Sequence, residues 1–499
     1  MLGVGGRGAP CLRALIRTPP GLPYLAAFRI FDCCRGVFKE MAGRGVSLTS
    51  MRPTLERLVG LTVVALMAGA MFAGPGRAAP DDVTRCEVTS GRSLERAAPE
   101  AVGFDAGRLA DALAFAGGRN RLNVQVFRHN CLVGEGPLND RTGTVAWNVW
   151  SVTKSVVSMV AGIAWDQGRL DISAPIDRYL PPGLGDAAHR AITVENLLTE
   201  TSGLQVGVLN EGITAIVPVD PNSAVQALGM PFDYPPGTEF TYSQRNVDLL
   251  TYVVESAVGE PFQQFVQREL FDPLGIGRGD YYWARDRSGH TYGYAHLLIP
   301  PNDLAKLALL LENDGRWGDR QIVSSDYLRM ATRPSPANPC YGYLFWLGAG
   351  CVEMPSFLPR DTYLMSGLGL QNVFIIPSLD MAVLWTGAFG NRSSQGPSGV
   401  LQNTDELSWE FFRRLVAAFQ QPPVPDPGPY VEQPVRLDPN DYIDPNITLA
   451  VFGVGPAAYP GCTVLSCLNR PLAPPFSDAP PGCFLIACLG PDPRTPGIR

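Results

Sequence analysis

Ser151 and Lys154 stand three residues apart at the head of a long apolar run. If that run is a helix, the two side chains share a face one turn apart, and hydroxyl and amine can meet. That is the geometry of a serine nucleophile served by a lysine base. The chain has only three lysines, Lys39, Lys154 and Lys306, in 499 residues. A serine three residues ahead of one of them would still arise by accident roughly one time in five. The plain alternatives are a lysine that snorkels to solvent and a serine that only caps a helix.

The run 151–167 is apolar on nearly every face, which predicts a helix buried all round and ended at Gly168. Burial and the positive end of the helix dipole would both push the amine of Lys154 toward its neutral form, as a base requires. Upstream, residues 122–127 alternate like a strand, His129-Asn130 turns the chain, and 131–133 return. Downstream, Thr193 reads as the cap of a short helix over 194–199. Tyr242 stands just before a predicted helix over 247–258, where its hydroxyl could face a cleft. Helices are also predicted over 261–270, over 304–312 with Asn302-Asp303 as cap, and over 407–419. Strands are predicted over 342–347, 372–376 and 380–386. Strands at both ends with helices between suggest one mixed sheet with a helical insertion, an α/β (α+β) fold.

Composition narrows the function classes. The chain is 45% hydrophobic, 17% charged and carries a net charge of −7, so no general nucleic-acid footprint is present. Its four histidines (His129, His189, His290, His296) form no metal-binding spacing, and no metal or cofactor is expected. Residues 51–79 read as a signal peptide, with Arg52 and Arg57 ahead of an apolar stretch and small residues at its end. Residues 1–50 then read as mis-assigned upstream translation. Once the leader is removed no integral membrane span is expected, and the protein would be exported, periplasmic or extracellular.

Eleven cysteines are present, of which Cys11, Cys33 and Cys34 precede Met51. The other eight are an even set, as an oxidising compartment favours. The expected pairs are Cys86–Cys131 and Cys340–Cys351, plus two bridges in the tail. Residues 80–420 form the expected main domain. Residues 421–499 are a proline-rich linker and a tail with two C-x4-C units, Cys462/Cys467 and Cys483/Cys488. That tail reads as a disulfide-stapled appendage able to touch the cell envelope or to stabilise the body.

Six segments occur in a telling order: Ser151-Val152-Thr153-Lys154, 193–198 with 201–204, Phe240-Thr241-Tyr242-Ser243, 272–275, 303–305 and 341–343. Together they resemble the serine β-lactamase-related hydrolases, the group of class C β-lactamases, DD-peptidases, esterases and 6-aminohexanoate-dimer hydrolases, over roughly residues 95–420. The resemblance implies a β-lactamase/transpeptidase-like fold, a central antiparallel sheet flanked by helices plus a mainly helical subdomain. It implies Ser151 as acylated nucleophile, Lys154 as base and Tyr242 as proton shuttle. The oxyanion would be held by the N–H of Ser151 and of a residue on the edge strand.

The departures from that pattern are informative. Gln244 stands where an asparagine is common. The third motif, usually Lys or His, then Ser/Thr, then Gly, reads Met365-Ser366-Gly367, and no lysine follows Lys306 and no histidine follows His296. The cation that would sit near a substrate carboxylate is missing. The segment Gly367-Leu368-Gly369-Leu370-Gln371-Asn372-Val373 resembles the 6-aminohexanoate-dimer hydrolase branch, which often has glycine where Leu370 stands, so the strand register is open. Trp283 also lies in a segment typical of that branch and lines either the pocket or the core. The reading is thus an ester, amide or short peptide-like substrate bound near Gln244, Trp283, Ser366, Gly367 and Leu368. The rivals are a penicillin-recognising DD-peptidase or β-lactamase, and a catalytically silent envelope-binding protein.

Overall fold

A computed structural model describes residues 84–91, 93–206, 220–351, 353–388, 406–431, 449–450 and 452–489. The chain divides into two units, Met1–Asp82 and Val83–Arg499. The first, with the leader reading at 51–79, lies outside the described residues.

The body opens with helix α1 (Ala106–Gly118), capped by the Asp105 side chain. Strands β1 (Arg121–Arg128) and β2 (Cys131–Glu135) follow as a hairpin. Its turn is His129-Asn130, both at positive φ (52° and 65°), the backbone that matches the twist of paired strands. Strand β3 (Trp147–Asn148) leads into α2 (Val152–Asp166). The helical region carries α3 (Val194–Leu198), held by a reciprocal Thr193/Asn196 capping box, and α4 (Gln244–Val258), ended by Gly259 at φ 71°. Strands β4 (Tyr282–Trp283) and β5 (Leu297–Ile299) join β3 in a small sheet of order β3-β5-β4. Helix α5 (Pro301–Glu312) returns to the main sheet, completed by β6 (Trp346–Leu347), β7 (Tyr363–Gly367), β8 (Gln371–Ile376) and β9 (Met381–Gly387). Helix α6 (Glu406–Ala417) closes the body.

The main sheet has the order β2-β1-β9-β8-β7-β6, and its strand pairings are all antiparallel, so the expected mixed sheet is corrected. Alternation along the strands gives the sheet two apolar faces. Val124, Phe374 and Trp385 pack under α1 and α6, where Leu109, Phe411 and Phe412 cover them. Phe127, Met365 and Val373 face the other way, in the core that holds α2 and α5. Helix α2 lies between that face and the helical region, so its residues from Val152 through Ala164 are all buried. That explains a helix without a polar stripe.

Three predicted elements are redrawn. Helix α5 starts at Pro301 with no side-chain cap, because a proline N–H is not needed there. Asp303 instead pairs with Lys306 Nζ at 2.9 Å. Only Trp346–Leu347 of the predicted strand 342–347 pairs as strand; Leu344 turns to φ 60°, tied by its N–H to Leu198 O (3.0 Å) and by its O to Ser155 Oγ (2.6 Å). The predicted helix 261–270 is α-helical over Phe262–Val266 and then widens into a π turn over Gln267–Phe271.

All four expected disulfides are formed: Cys86–Cys131, Cys340–Cys351, Cys462–Cys467 and Cys483–Cys488. No described helix is long and apolar enough to cross a membrane.

One buried carboxyl makes stability depend on pH. Burial first, and then neighbouring Asp380, push Glu312 up from 4.5 to about 8. The folded chain therefore keeps a proton that the unfolded chain releases. This contribution is full below pH 4.5 and is lost as pH rises through about 8. Glu312→Gln is expected to melt higher than wild type at pH 8 and to lose that advantage at pH 4.5. Thermal melts across this range check it; a constant offset would refute it.

Candidate active site

Ser151 is the residue just ahead of α2, with helical φ/ψ of −69° and −7° and no capping bond from its hydroxyl. The plain N-cap alternative is therefore not what the fold uses. Its hydroxyl instead meets Lys154 Nζ at 3.2 Å. The chain reaches this position through Trp150, a bulky residue at φ 48°, where L side chains are strained. Such strain is kept only where the surroundings over-determine it, commonly at functional sites. Here Trp150 N–H donates to Asn148 Oδ1 (2.9 Å), and Val149 N–H donates to Leu297 O (3.0 Å).

Lys154 does not snorkel; it is 1% exposed. Its Nζ donates to Tyr294 O (3.2 Å) and to Gln244 Oε1, and lies 3.2 Å from Ser151 Oγ. It also lies 4.6 Å from the centre of the Tyr242 ring. Gln244 is the first residue of α4, placed by the Ser243 cap, whose hydroxyl accepts from Asn246 N–H at 3.3 Å. The longer amide arm thus ends on the lysine.

Tyr242 is half-buried, stacked on Trp346 (5.6 Å between ring centres) and edge-on to Tyr341. Its backbone is gripped on both sides by one residue. Thr241 N–H donates to Glu200 O (2.9 Å) and Ser243 N–H to Glu200 Oε2 (2.6 Å). Glu200 is itself buried and at φ 54°. Burial, and then the Glu200 carboxylate it bonds, hold the Tyr341 hydroxyl well above its usual range. Glu200 was not singled out from sequence. The signal was an acidic residue beside Thr201-Ser202-Gly203, in a segment otherwise read only for family likeness.

The third segment closes on the turn that carries Ser151 from the other side. A Cβ built on Gly367 would lie 2.2 Å from Val149 O, so only glycine lets β7 approach residues 149–151 this closely. The register left open is settled: β7 ends at Gly367, residues 368–370 form the turn, and β8 starts at Gln371, opposite Gly367. Leu370 takes φ 62°, which explains why glycine suits that position. The turn is clamped from beneath by Arg121, whose guanidinium donates to Gly369 O (2.9 Å), Leu370 O (2.6 Å) and Ala388 O (2.7 Å). Burial lowers the Arg121 pKa to about 10, with Glu353 opposing the shift. No spacing in the sequence points to this arginine.

Leu368, 40% exposed, stands at the tip of this turn. Met365 is fully buried in the core against α2, so no cation replaces it there. Ser366 follows on the opposite face, where its hydroxyl donates to buried Glu353 Oε2 (3.0 Å), which also accepts from Asn372 Nδ2 (2.8 Å). Trp283 is 2% exposed, its indole N–H donates to Tyr292 O (2.7 Å), and it packs edge-on to Phe262. The fold uses it as core and does not bring it to the Ser151–Lys154 pair. Behind that pair, burial and then the Lys154 charge lower His296 to about 3, so its imidazole stays neutral. No metal-binding cluster occurs among the described residues.

The protein-family match named Beta-lactamase covers residues 111–396. The chain is 32% identical over 142 residues to Esterase EstB of Burkholderia gladioli, covering 25% of this chain and 36% of that protein. It is 28% identical over 357 residues to protein Rv1367c of Mycobacterium tuberculosis, covering 60% and 85%. Across the first curated relatives it matches, it spans 36% to 63% of their length. Among solved structures, a chain described as a 6-aminohexanoate-dimer hydrolase from Bacillus anthracis superposes with a TM-score of 0.50 at 14% identity, over 67% of this chain and 89% of that one. A Bacteroides dorei chain described as a beta-lactamase does so at 0.50 and 17%, over 64% and 100%, which again shows the fold alone. With the family match spanning more than half of its length, the chain belongs to the beta-lactamase family of serine hydrolases.

Proposed function

We propose that the protein is an exported hydrolase that cleaves an uncharged ester or amide through an acyl-enzyme on Ser151. Lys154 is its base and Tyr242 its proton shuttle. The observation that carries this reading is the 3.2 Å approach of Lys154 Nζ to Ser151 Oγ at a buried helix start. A neutral amine has two N–H groups and one lone pair. Gln244 Oε1 and Tyr294 O accept the two N–H groups, which turns the lone pair toward Ser151 Oγ.

In acylation the Ser151 proton passes to Nζ while Oγ bonds the substrate carbonyl carbon. The negative oxygen is received by the N–H groups of Ser151 and Leu368. When the C–O or C–N bond breaks, the leaving group takes a proton from the Tyr242 hydroxyl, which recovers it from the Lys154 ammonium. Water then attacks the acyl carbon, yields its proton along the same route, and restores the Ser151 hydroxyl as the acid leaves.

The substrate class follows from what β7 and the turn after it offer. Met365 is buried, Ser366 is engaged by Glu353, and Leu368 presents an apolar side chain. Lys306 is held by Asp303 (2.9 Å) and Gly275 O (3.1 Å). A small ester, amide or short peptide-like substrate without a carboxylate at that end suits this rim. The leader at 51–79 and four disulfides support export. A neutral nitrophenyl ester is expected to be turned over, with an acyl adduct in the intact mass. For a penicillin, kcat/KM is expected to be lower by about 10- to 100-fold, the worth of one lost charge-assisted hydrogen bond. Efficient penicillin turnover would overturn the substrate class. An absence of both adduct and ester hydrolysis would overturn the hydrolase.

A further inference from the structure

The tail does not stand apart from the body. Between Cys483 and Cys488 it runs along the free edge of β3, three residues before Ser151. Asn148 N–H donates to Ile486 O (2.8 Å), and Cys488 N–H donates to Ala146 O (2.9 Å). Trp147 and Ala487 form an antiparallel bridge between these bonds. The loop thus adds a short strand to the β3-β5-β4 sheet, in the manner of edge augmentation.

The Asn148 side chain carries this contact inward. It is 0% exposed. Its Nδ2 donates to Leu485 O (2.8 Å) and reaches His296 Nδ1 (3.4 Å). Its Oδ1 accepts the N–H of Trp150 (2.9 Å), the strained residue immediately before the nucleophile. Two hydrogen bonds through one amide therefore join a tail carbonyl to the backbone that aims Ser151. A tail that only covered apolar surface would not need them. The other cystine loop, Cys462–Cys467, differs: its N–H and C=O groups serve its own turn and the Arg287 guanidinium, with Leu465 79% exposed at its tip.

We propose that the 483–488 cystine loop is part of the active-site assembly, and that Asn148 is a positioning residue that relays its hold to Trp150 and so to the orientation of Ser151. This rests on the hydrolase reading for its catalytic consequence, but not for its structural one. The loop holds β3 through backbone groups, the carbonyls of Leu485 and Ile486 and the N–H of Cys488, so its backbone shape does the holding and the disulfide keeps that shape.

The test uses the full-length protein. Asn148→Asp keeps an acceptor for Trp150 N–H but cannot donate to Leu485 O. Cys483→Ala/Cys488→Ala opens the loop without touching the body. Both are expected to speed hydrogen exchange in peptides spanning residues 147–153. Both should lower kcat on a neutral nitrophenyl ester about tenfold or more with KM changed less than about twofold, since a displacement near 1 Å can cost about 100-fold. Adding Asn148→Ala to the opened loop should lower kcat no further than Asn148→Ala alone. Leu465→Ser should leave exchange and kcat unchanged. Unchanged exchange at 147–153 in the opened-loop variant, with its melting temperature retained, overturns the proposal. So does an unchanged exchange rate in Asn148→Asp, which decides the matter if the cysteine variant fails to fold. Faster exchange in both variants, together with a wild type that forms no acyl-enzyme, would leave the loop's role standing and sink the hydrolase reading.

Discussion

Ser151→Ala is expected to lose covalent labelling by a fluorophosphonate probe and to lose ester hydrolysis by roughly four orders of magnitude or more. Removing a nucleophile that acts as a unit with its base leaves only what binding and oxyanion contacts supply. The fold should survive. The Ser151 hydroxyl makes no capping bond to the helix, so its loss leaves no backbone donor without a partner. The variant should therefore melt within a degree or two of wild type while labelling falls to background. The measurement is intact mass after probe treatment, with wild type gaining one adduct and the variant none. A variant that still gains the adduct would move the nucleophile elsewhere and end the reading of this site.

Replacing Lys154 is expected to have the next largest effect, with a different signature. Lys154→Met keeps a long unbranched chain in the buried slot and removes the amine. A positioned general base is worth on the order of 10²–10⁴-fold, and kcat should fall by that amount. KM should move little, because Nζ is turned toward Ser151, Gln244 and Tyr294 and not into open space. Stability can move either way: the variant loses the three polar contacts of Nζ but no longer buries a polar amine at a helix start. Slow labelling by a strong acylating probe should persist, since the Ser151 hydroxyl remains. Complete loss of slow labelling together with a large drop in melting temperature would mean that Lys154 holds the fold and not the proton. Gln244→Leu serves as the companion variant. It leaves the amine in place but removes the acceptor that orients it, so its effect should lie between wild type and Lys154→Met.

Much of this arrangement is legible in the chain because it is local. Helix α2 follows from a continuous apolar run, its end from Gly168 at φ 67°, and the Thr193 cap from its own next three residues. The Ser151–Lys154 contact follows from helical spacing alone. The cystine pairs of the tail are five residues apart, close enough to close without the rest of the fold. Harder to read were contacts between distant segments. Arg121 reaches carbonyls nearly 250 positions away, and nothing in its neighbours announces that. Trp283 lies in a family segment that leaves pocket and core both open. It packs as core because β4 is covered on both sides, and a strand of two residues carries no pattern that says so.

By itself, then, the sequence determined which groups are available: one buried lysine a helical turn from a serine, a tyrosine ahead of a helix, and no cation in the third motif. Helix periodicity is a short-range property, so those relations survive any tertiary arrangement. Tertiary structure alone decided what those groups face. It put Gln244 and Tyr294 O on the lysine, Glu200 behind Tyr242, and Gly367 against Val149 O. It also laid the tail along β3. These are meetings of backbone edges and buried polar groups across long loops, selected because each buried donor must find an acceptor somewhere in the fold. No spacing rule reaches that far, which is why the Ser151–Lys154 pair could be read in the sequence and the framework around it could not.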